Sequence, residues 1–157
     1  MKVEGIDPAT GKKVENEIEE PERNFFEEMC RFDMSDDAIR RMIDKLNISA
    51  DHKSLLYTLA KSTIKVGDYI IKVGRKILDA ICHTFKEFPN ATFGLVFGGI
   101  AGLLISSIPI LGQILGPVVT PILMVYGLGT GRLQDIQNKN LERTIAASVA
   151  EFSPLAE

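Results

Sequence analysis

The stretch that decides the fold covers residues 88–131 and reads FPNATFGLVFGGIAGLLISSIPILGQILGPVVTPILMVYGLGTG. It contains no Asp, Glu, Lys, Arg or His, although 25% of the whole chain is charged. Pro109 divides it into two apolar segments, 93–108 and 110–129, because proline lacks an N–H donor and disrupts a helix. A membrane-spanning helix needs about 20 apolar residues, a length that the second segment reaches although Pro117 and Pro121 interrupt it. We therefore expect an uncharged helical hairpin over residues 91–131, with its turn at Pro109.

Glycines recur at four-residue spacing within this hairpin. Gly94, Gly98 and Gly102 lie on one helix face, and Gly112 and Gly116 repeat the spacing in the second segment. Glycine faces let helices approach closely in a membrane, where packing replaces the hydrophobic drive. Such a glycine zipper predicts close packing either within the hairpin itself or between copies, and the second alternative makes the protein a homo-oligomer.

Basic side chains lie on both sides of the uncharged stretch. Positive residues tend to stay on the cytoplasmic side, so both termini are expected there, and cationic side chains are attracted to anionic lipid headgroups. The alternative is that these side chains form the solvated face of an amphipathic helix. The N-terminus has no apolar segment of a cleavable signal peptide. We therefore expect a membrane-associated protein with a lipid membrane as its partner. The candidate membrane-surface residues are Lys61, Lys65, Lys72, Arg75, Lys76 and Lys86.

The rest of the chain predicts an all-α fold. Residues 1–34 form an acidic N-terminal arm with a short helix at its end, and the turn residues Pro8 and Gly11 leave a small β-hairpin or a disordered arm equally open. Residues 35–90 form an amphipathic helical region, with Ser35 as the N-cap of a helix over 36–46 and a long helix over 50–88. Residues 132–157 contain a C-terminal amphipathic helix.

Catalysis, metal binding and nucleic-acid binding find little support. The net charge of −3 argues against a nucleic-acid partner. Cys30 and Cys82 have no CxxC partner, so they predict no metal site. His83 follows Cys82 directly, and adjacent helical residues point in different directions, so they make no nucleophile–base pair. His52 is best explained by a role at a helix start. We expect no enzyme activity and no cofactor.

The order of elements resembles that of pore-forming colicin domains and of bacterial inclusion-membrane proteins with bilobed hydrophobic segments. All of these proteins include a charge-free hydrophobic helical segment, which in this chain covers residues 93–129. The resemblance covers about half the chain, concerns its plan only, and assigns no residue a role.

Three functions follow from these features. The first is a toxin- or effector-like, self-associating protein that inserts into a membrane and permeabilises it or forms a pore. The second is a membrane-anchored adaptor whose residues 1–60 recruit a protein partner. The third is a soluble helical bundle or oligomer that buries the hairpin. For the adaptor, the contact residues would be aromatic and apolar side chains that could instead pack on a neighbouring helix; these are Phe25, Phe26, Met29 and Phe32.

Overall fold

The computed structural model describes residues 2–6, 11–18, 25, 27–29, 35–46, 48–66, 69–88, 93–125 and 139–156. The strands are β1 (Lys2–Ile6), β2 (Lys13–Glu17), β3 (Ile64–Val66) and β4 (Tyr69–Ile71). The helices are α1 (Asp36–Asp44), α2 (Ala50–Ala60), α3 (Val73–Glu87), α4 (Phe93–Phe97), α5 (Leu103–Ser107), α6 (Pro109–Val125) and α7 (Lys139–Ala150). A π-helical segment (Gly98–Gly102) joins α4 to α5, and a 3-10 turn (Ser153–Ala156) follows α7.

The strands form one antiparallel sheet in the order β2-β1-β3-β4. In the middle of this sheet, Glu4 of β1 lies opposite Glu15 of β2 on one side and Lys65 of β3 on the other. The N-terminal hairpin is therefore formed, and it pairs with a second hairpin more than fifty residues further along the chain. Because this sheet is part of the core, the all-α prediction is wrong and the fold is α+β.

The second hairpin interrupts the region 35–90 that the sequence assigned to helices. In β3, Ile64 and Val66 are buried while Lys65 between them is exposed, which is the two-residue alternation of a strand. The three- and four-residue spacing of apolar side chains over 50–88 also fits a helix, but the β-branched residues around β3 and β4 favour strands. The predicted long helix is therefore wrong: α2, the β3–β4 hairpin and α3 take its place.

Helix α6 lies at the centre of the fold. It contacts α5, α2 and the strands β1 and β2, so it has packing partners on several sides. A helix that is apolar around most of its circumference is expected in a core or in a membrane, and here the core holds it. Its buried side chains are Ile110, Leu111, Ile114, Leu115, Val118, Val119 and Leu123.

The sheet and α6 fit closely. A Cβ atom on Gly5 of β1 would lie 3.0 Å from Cγ2 of Ile114, so this strand position has room only for glycine unless the isoleucine moves. With its amide oriented to satisfy both polar atoms, Asn16 of β2 accepts a hydrogen bond from the Ile110 N–H at 3.2 Å. This bond serves one of the backbone donors that a helix N-terminus leaves without an internal partner.

In the part of the chain that the structure describes, no helix has the length and apolarity needed to cross a membrane. This finding contradicts the prediction of a pore-forming membrane protein. Residues 93–125 of the uncharged stretch instead form α4, the π-helical segment, α5 and α6, which pack against other elements of the chain.

The described C-terminal helix, α7, lies within the predicted region 132–157. Leu141 and Ile145 of α7 are buried, and Phe152 and Leu155 after it are buried as well. The end of the predicted hairpin, like the rest of residues 126–138, lies outside the described residues.

Candidate functional site

Several of the hairpin glycines contact other parts of the same chain. A Cβ atom on Gly112 would lie 2.5 Å from the carbonyl oxygen of Ile105 in α5, and one on Gly102 would lie 3.8 Å from Cδ1 of Leu123 in α6. Gly94 is buried and Gly98 is half-buried. Gly102 and Gly112 therefore lie against other parts of the hairpin, and the contact at Gly112 is the tighter of the two.

Two details differ from a continuous glycine zipper. A Cβ atom on Gly116 would meet no described atom within 4 Å. Gly99, which the four-residue spacing did not single out, lies against α7, because a Cβ atom there would be 2.8 Å from Cδ1 of Ile145.

Pro109, the predicted hairpin turn, is the first residue of α6, directly after Ile108, whose backbone is extended.

The six predicted basic residues lie on several elements rather than on one long helix. Lys61 caps the C-terminus of α2, Lys65 lies on β3, and Lys72 precedes α3. Arg75 forms an ion pair with Asp36 of α1, and Nζ of Lys76 lies 3.8 Å from Oε2 of Glu151. The β3–β4 hairpin causes this separation, because it breaks the single helix on which the residues would have aligned.

The sixth of these residues, Lys86, lines a groove between α1 and α3. The groove has a volume of about 370 Å³ and is open rather than enclosed. This volume is at the lower end of the roughly 300–1,000 Å³ that ligand pockets occupy. Its lining consists of Ala38, Arg41, Met42, Lys45, Leu46, Cys82, Phe85 and Lys86.

Ion pairing and hydrogen bonding hold α1 at both ends. At its N-terminus Asp36 pairs with Arg75 of α3, and at its C-terminus the Tyr57 hydroxyl of α2 donates to Oδ1 of Asp44 at 2.9 Å. The side chains that attach α1 to the core are Ile39 and Ile43. Helix α1, which forms one wall of the groove, therefore has a polar contact to a neighbouring helix at each end in addition to its two core side chains.

The floor of the groove is apolar and its edges are basic. Met42 of α1, Leu46 just after α1 and Phe85 of α3 are half-buried, between the core and the solvent. The edges carry the exposed cations Arg41, Lys45 and Lys86. Within the described residues none of these three has a carboxylate partner, and the Arg41 Nε–H donates only to the Asp37 carbonyl, at 3.4 Å.

Cys82 belongs to the floor of the groove. Burial raises the pKa of its thiol to about 11, and the nearby charge of Asp79 acts in the same direction. A thiol with this pKa is almost entirely protonated at neutral pH and is a poor nucleophile. The Cys82 thiol is therefore a neutral, weakly nucleophilic part of the groove floor.

A second groove, between α3 and α7, is polar. His83 Nδ1 lies 3.6 Å from Oδ1 of Asp79, and Lys76 and Glu151 pair across the groove. Both His83 and Glu151 are exposed. Among the described residues no group of His, Cys, Asp and Glu could hold a metal ion.

The aromatic cluster proposed as a partner contact is only partly described. Met29 is buried and Phe25 is half-buried against the core, so both pack within the chain. Phe26 and Phe32 lie outside the described residues.

Sequence reasoning missed the groove between α1 and α3, although a signal was present. Ala38, Met42 and Leu46 recur at four-residue spacing beside the buried row of α1, with Arg41 and Lys45 next to them. Such a second apolar row indicates a helix that contacts more than the core. Comparison of the chain with protein-family models, with curated proteins and with solved structures gives no match.

Proposed function

We propose that this chain is a non-catalytic interaction module that binds a partner protein in the groove between α1 and α3. The observation that carries the proposal is an apolar floor, formed by Met42, Leu46 and Phe85, in an open groove between two helices. Grooves between helices receive amphipathic segments of partner proteins, which place apolar anchors in them. Helix α1 lies within residues 1–60, where the sequence predicts recruitment of a partner.

The raised pKa of Cys82 supports recognition over catalysis. A neutral thiol adds apolar surface to the floor, next to Phe85, and sulfur beside an aromatic ring is a favourable contact surface. The structure of the groove thus supports a binding role whose energy comes mainly from burial of apolar surface.

The test is selection of a displayed library of random 16-residue peptides against the immobilised full-length chain. Selected peptides should bind the wild type and lose at least about tenfold in affinity to Met42→Glu. Burial of one large apolar side chain is worth roughly 1.5–3 kcal/mol, and about 1.4 kcal/mol corresponds to tenfold in Kd.

A matched control is Met124→Glu, the same substitution on α6, where the side chain is 74% exposed and outside the groove. Selected peptides should bind this variant as they bind the wild type. Circular dichroism establishes that both variants are folded. A selection that gives no peptides sensitive to Met42→Glu contradicts the proposed function.

A further inference from the structure

We infer that the segment bound in this groove is an acidic amphipathic helix of a partner protein. The inference rests on the proposed function and adds the chemistry of the ligand. It comes from the juxtaposition of an apolar floor with three cations, Arg41 and Lys45 on one edge and Lys86 on the other.

The cations are available to a ligand. Arg41, Lys45 and Lys86 are exposed, and none of them is paired with a carboxylate in the described part of the chain. The whole chain has a net charge of −3, so this local excess of positive charge is not a property of the surface in general. A ligand with carboxylates beside its apolar anchors complements both edges, and complementary charge favours the correct partner over others.

The shape of the floor favours a helix. Ala38 and Met42 lie about 6 Å apart along α1, at 1.5 Å per residue, and Leu46 continues the apolar row beyond the end of the helix at Asp44. A ligand helix with apolar residues at i, i+4 and i+7 presents a row of similar length. Acidic residues on both sides of that row then reach the cations of the two groove edges.

Other anionic partners fit less well. Nucleic acid is bound chiefly through contacts to its phosphates, and a half-buried apolar floor adds nothing to them. An anionic lipid surface is flat, whereas the apolar residues here lie between two helices. An acidic amphipathic helix can contact the apolar floor and the cationic edges of the groove at the same time.

The experiment compares three fluorescein-labelled 16-residue peptides that share one apolar row and differ only in the flanking residues, which are Glu, Gln or Lys. Binding to the full-length chain is measured by fluorescence anisotropy. Exposed ion pairs contribute about 0.2–1 kcal/mol each, so three pairs give the Glu peptide an advantage of roughly three- to 150-fold in affinity over the Gln peptide at low salt. Most of this advantage should disappear at 0.5 M NaCl, because salt screens exposed charges.

The variant that tests the edges is the triple substitution Arg41→Gln, Lys45→Gln and Lys86→Gln. It should lower the affinity for the Glu peptide by roughly three- to 150-fold and leave the affinity for the Gln peptide unchanged. The control removes the same charge from exposed positions elsewhere, so it corrects for net charge. The control substitutions are Arg143→Gln, Lys61→Gln and Lys65→Gln.

The outcomes separate the two proposals. Equal affinity of the wild type for the Glu and Gln peptides, both sensitive to Met42→Glu, overturns the acidic ligand and leaves the interaction module in place. If no peptide binds in a manner sensitive to Met42→Glu, both the acidic ligand and the proposed interaction module are overturned. Binding to phosphatidylserine vesicles that requires the three cations, without binding of the Glu peptide, overturns the inference in favour of a lipid surface.

Discussion

Replacing Gly112 with alanine should destabilise the fold, whereas the same replacement at Gly116, one turn further along α6, should leave its stability nearly unchanged. A Cβ atom at position 112 would lie 2.5 Å from the carbonyl oxygen of Ile105 and 3.5 Å from its carbonyl carbon. Both atoms belong to the backbone of α5, which has no rotamer to change. Helix α5 must therefore move away from α6 to admit a single methyl group.

The magnitude follows from two opposing effects. Overpacking of a core lowers the free energy of unfolding by about 1–3 kcal/mol. Replacing glycine by alanine in a helix raises it by up to about 1 kcal/mol, because alanine has the higher helix propensity. The expected net loss at Gly112 is about 1–2 kcal/mol. At Gly116 the added Cβ meets no described atom within 4 Å. The gain in helix propensity there is reduced because Pro117 follows and disfavours helical backbone before it, so the stability should stay within about 0.5 kcal/mol of the wild type.

The assay is urea unfolding of the full-length proteins, followed by far-ultraviolet circular dichroism. With a denaturant dependence of about 1–3 kcal/mol per M of urea, the midpoint for Gly112→Ala should lie roughly 0.5–1 M below those of Gly116→Ala and the wild type. Equal midpoints for the two variants would refute the packing argument. A larger effect at Gly116, together with a lower sedimenting mass, would instead assign the glycine pair to contact between copies.

Other predictions concern the junction of α2 with α3 and the groove. Gly74→Ala should lower the free energy of unfolding by about 3 kcal/mol, because the added Cβ would collide with the Leu59 carbonyl. A urea midpoint equal to that of the wild type would contradict this prediction. Ser62→Ala should raise the free energy of unfolding by about 1 kcal/mol, because the buried Ser62 hydroxyl has no hydrogen-bond partner among the described residues. A lower urea midpoint for this variant would show that the hydroxyl is hydrogen-bonded. Alkylation of Cys82 by iodoacetamide, separated from Cys30 by mass spectrometry, should still accelerate between pH 9 and pH 11, because burial raises the pKa of the thiol to about 11; a plateau near pH 9 would contradict the burial.

The local elements were the most predictable from sequence. Ser35 is the N-cap of α1, where its hydroxyl accepts from the Ala38 N–H at 3.1 Å, as the acidic first turn and the apolar spacing indicated. α6 begins at Pro109, where its missing N–H costs no helical hydrogen bond. Such features depend on a few neighbouring residues, so they can be read from the sequence.

The non-local features could not be predicted in the same way. The pairing of β1 with β3 joins Val3 to Val66, and no local signal specifies which distant segment a strand will meet. The apolar residues of 50–88 satisfy helical spacing and strand alternation at once around Ile64, so tertiary pairing decided between them. The groove depends on α1 meeting α3, which only the fold reveals.

The two prolines inside α6 affect which environment suits this helix, a feature that the uncharged composition of the stretch does not show. Pro117 and Pro121 have no N–H, so the carbonyls of Gln113 and Pro117 have no donor four residues later in α6. These residues are exposed and share the face of Thr120. An unsatisfied backbone carbonyl costs several kcal/mol in hydrocarbon but can accept from water, so this face is suited to solvent. The opposite faces of α6 need no charge because α5, α2 and the sheet cover them, and packing within the chain therefore accounts for the stretch as fully as a bilayer would.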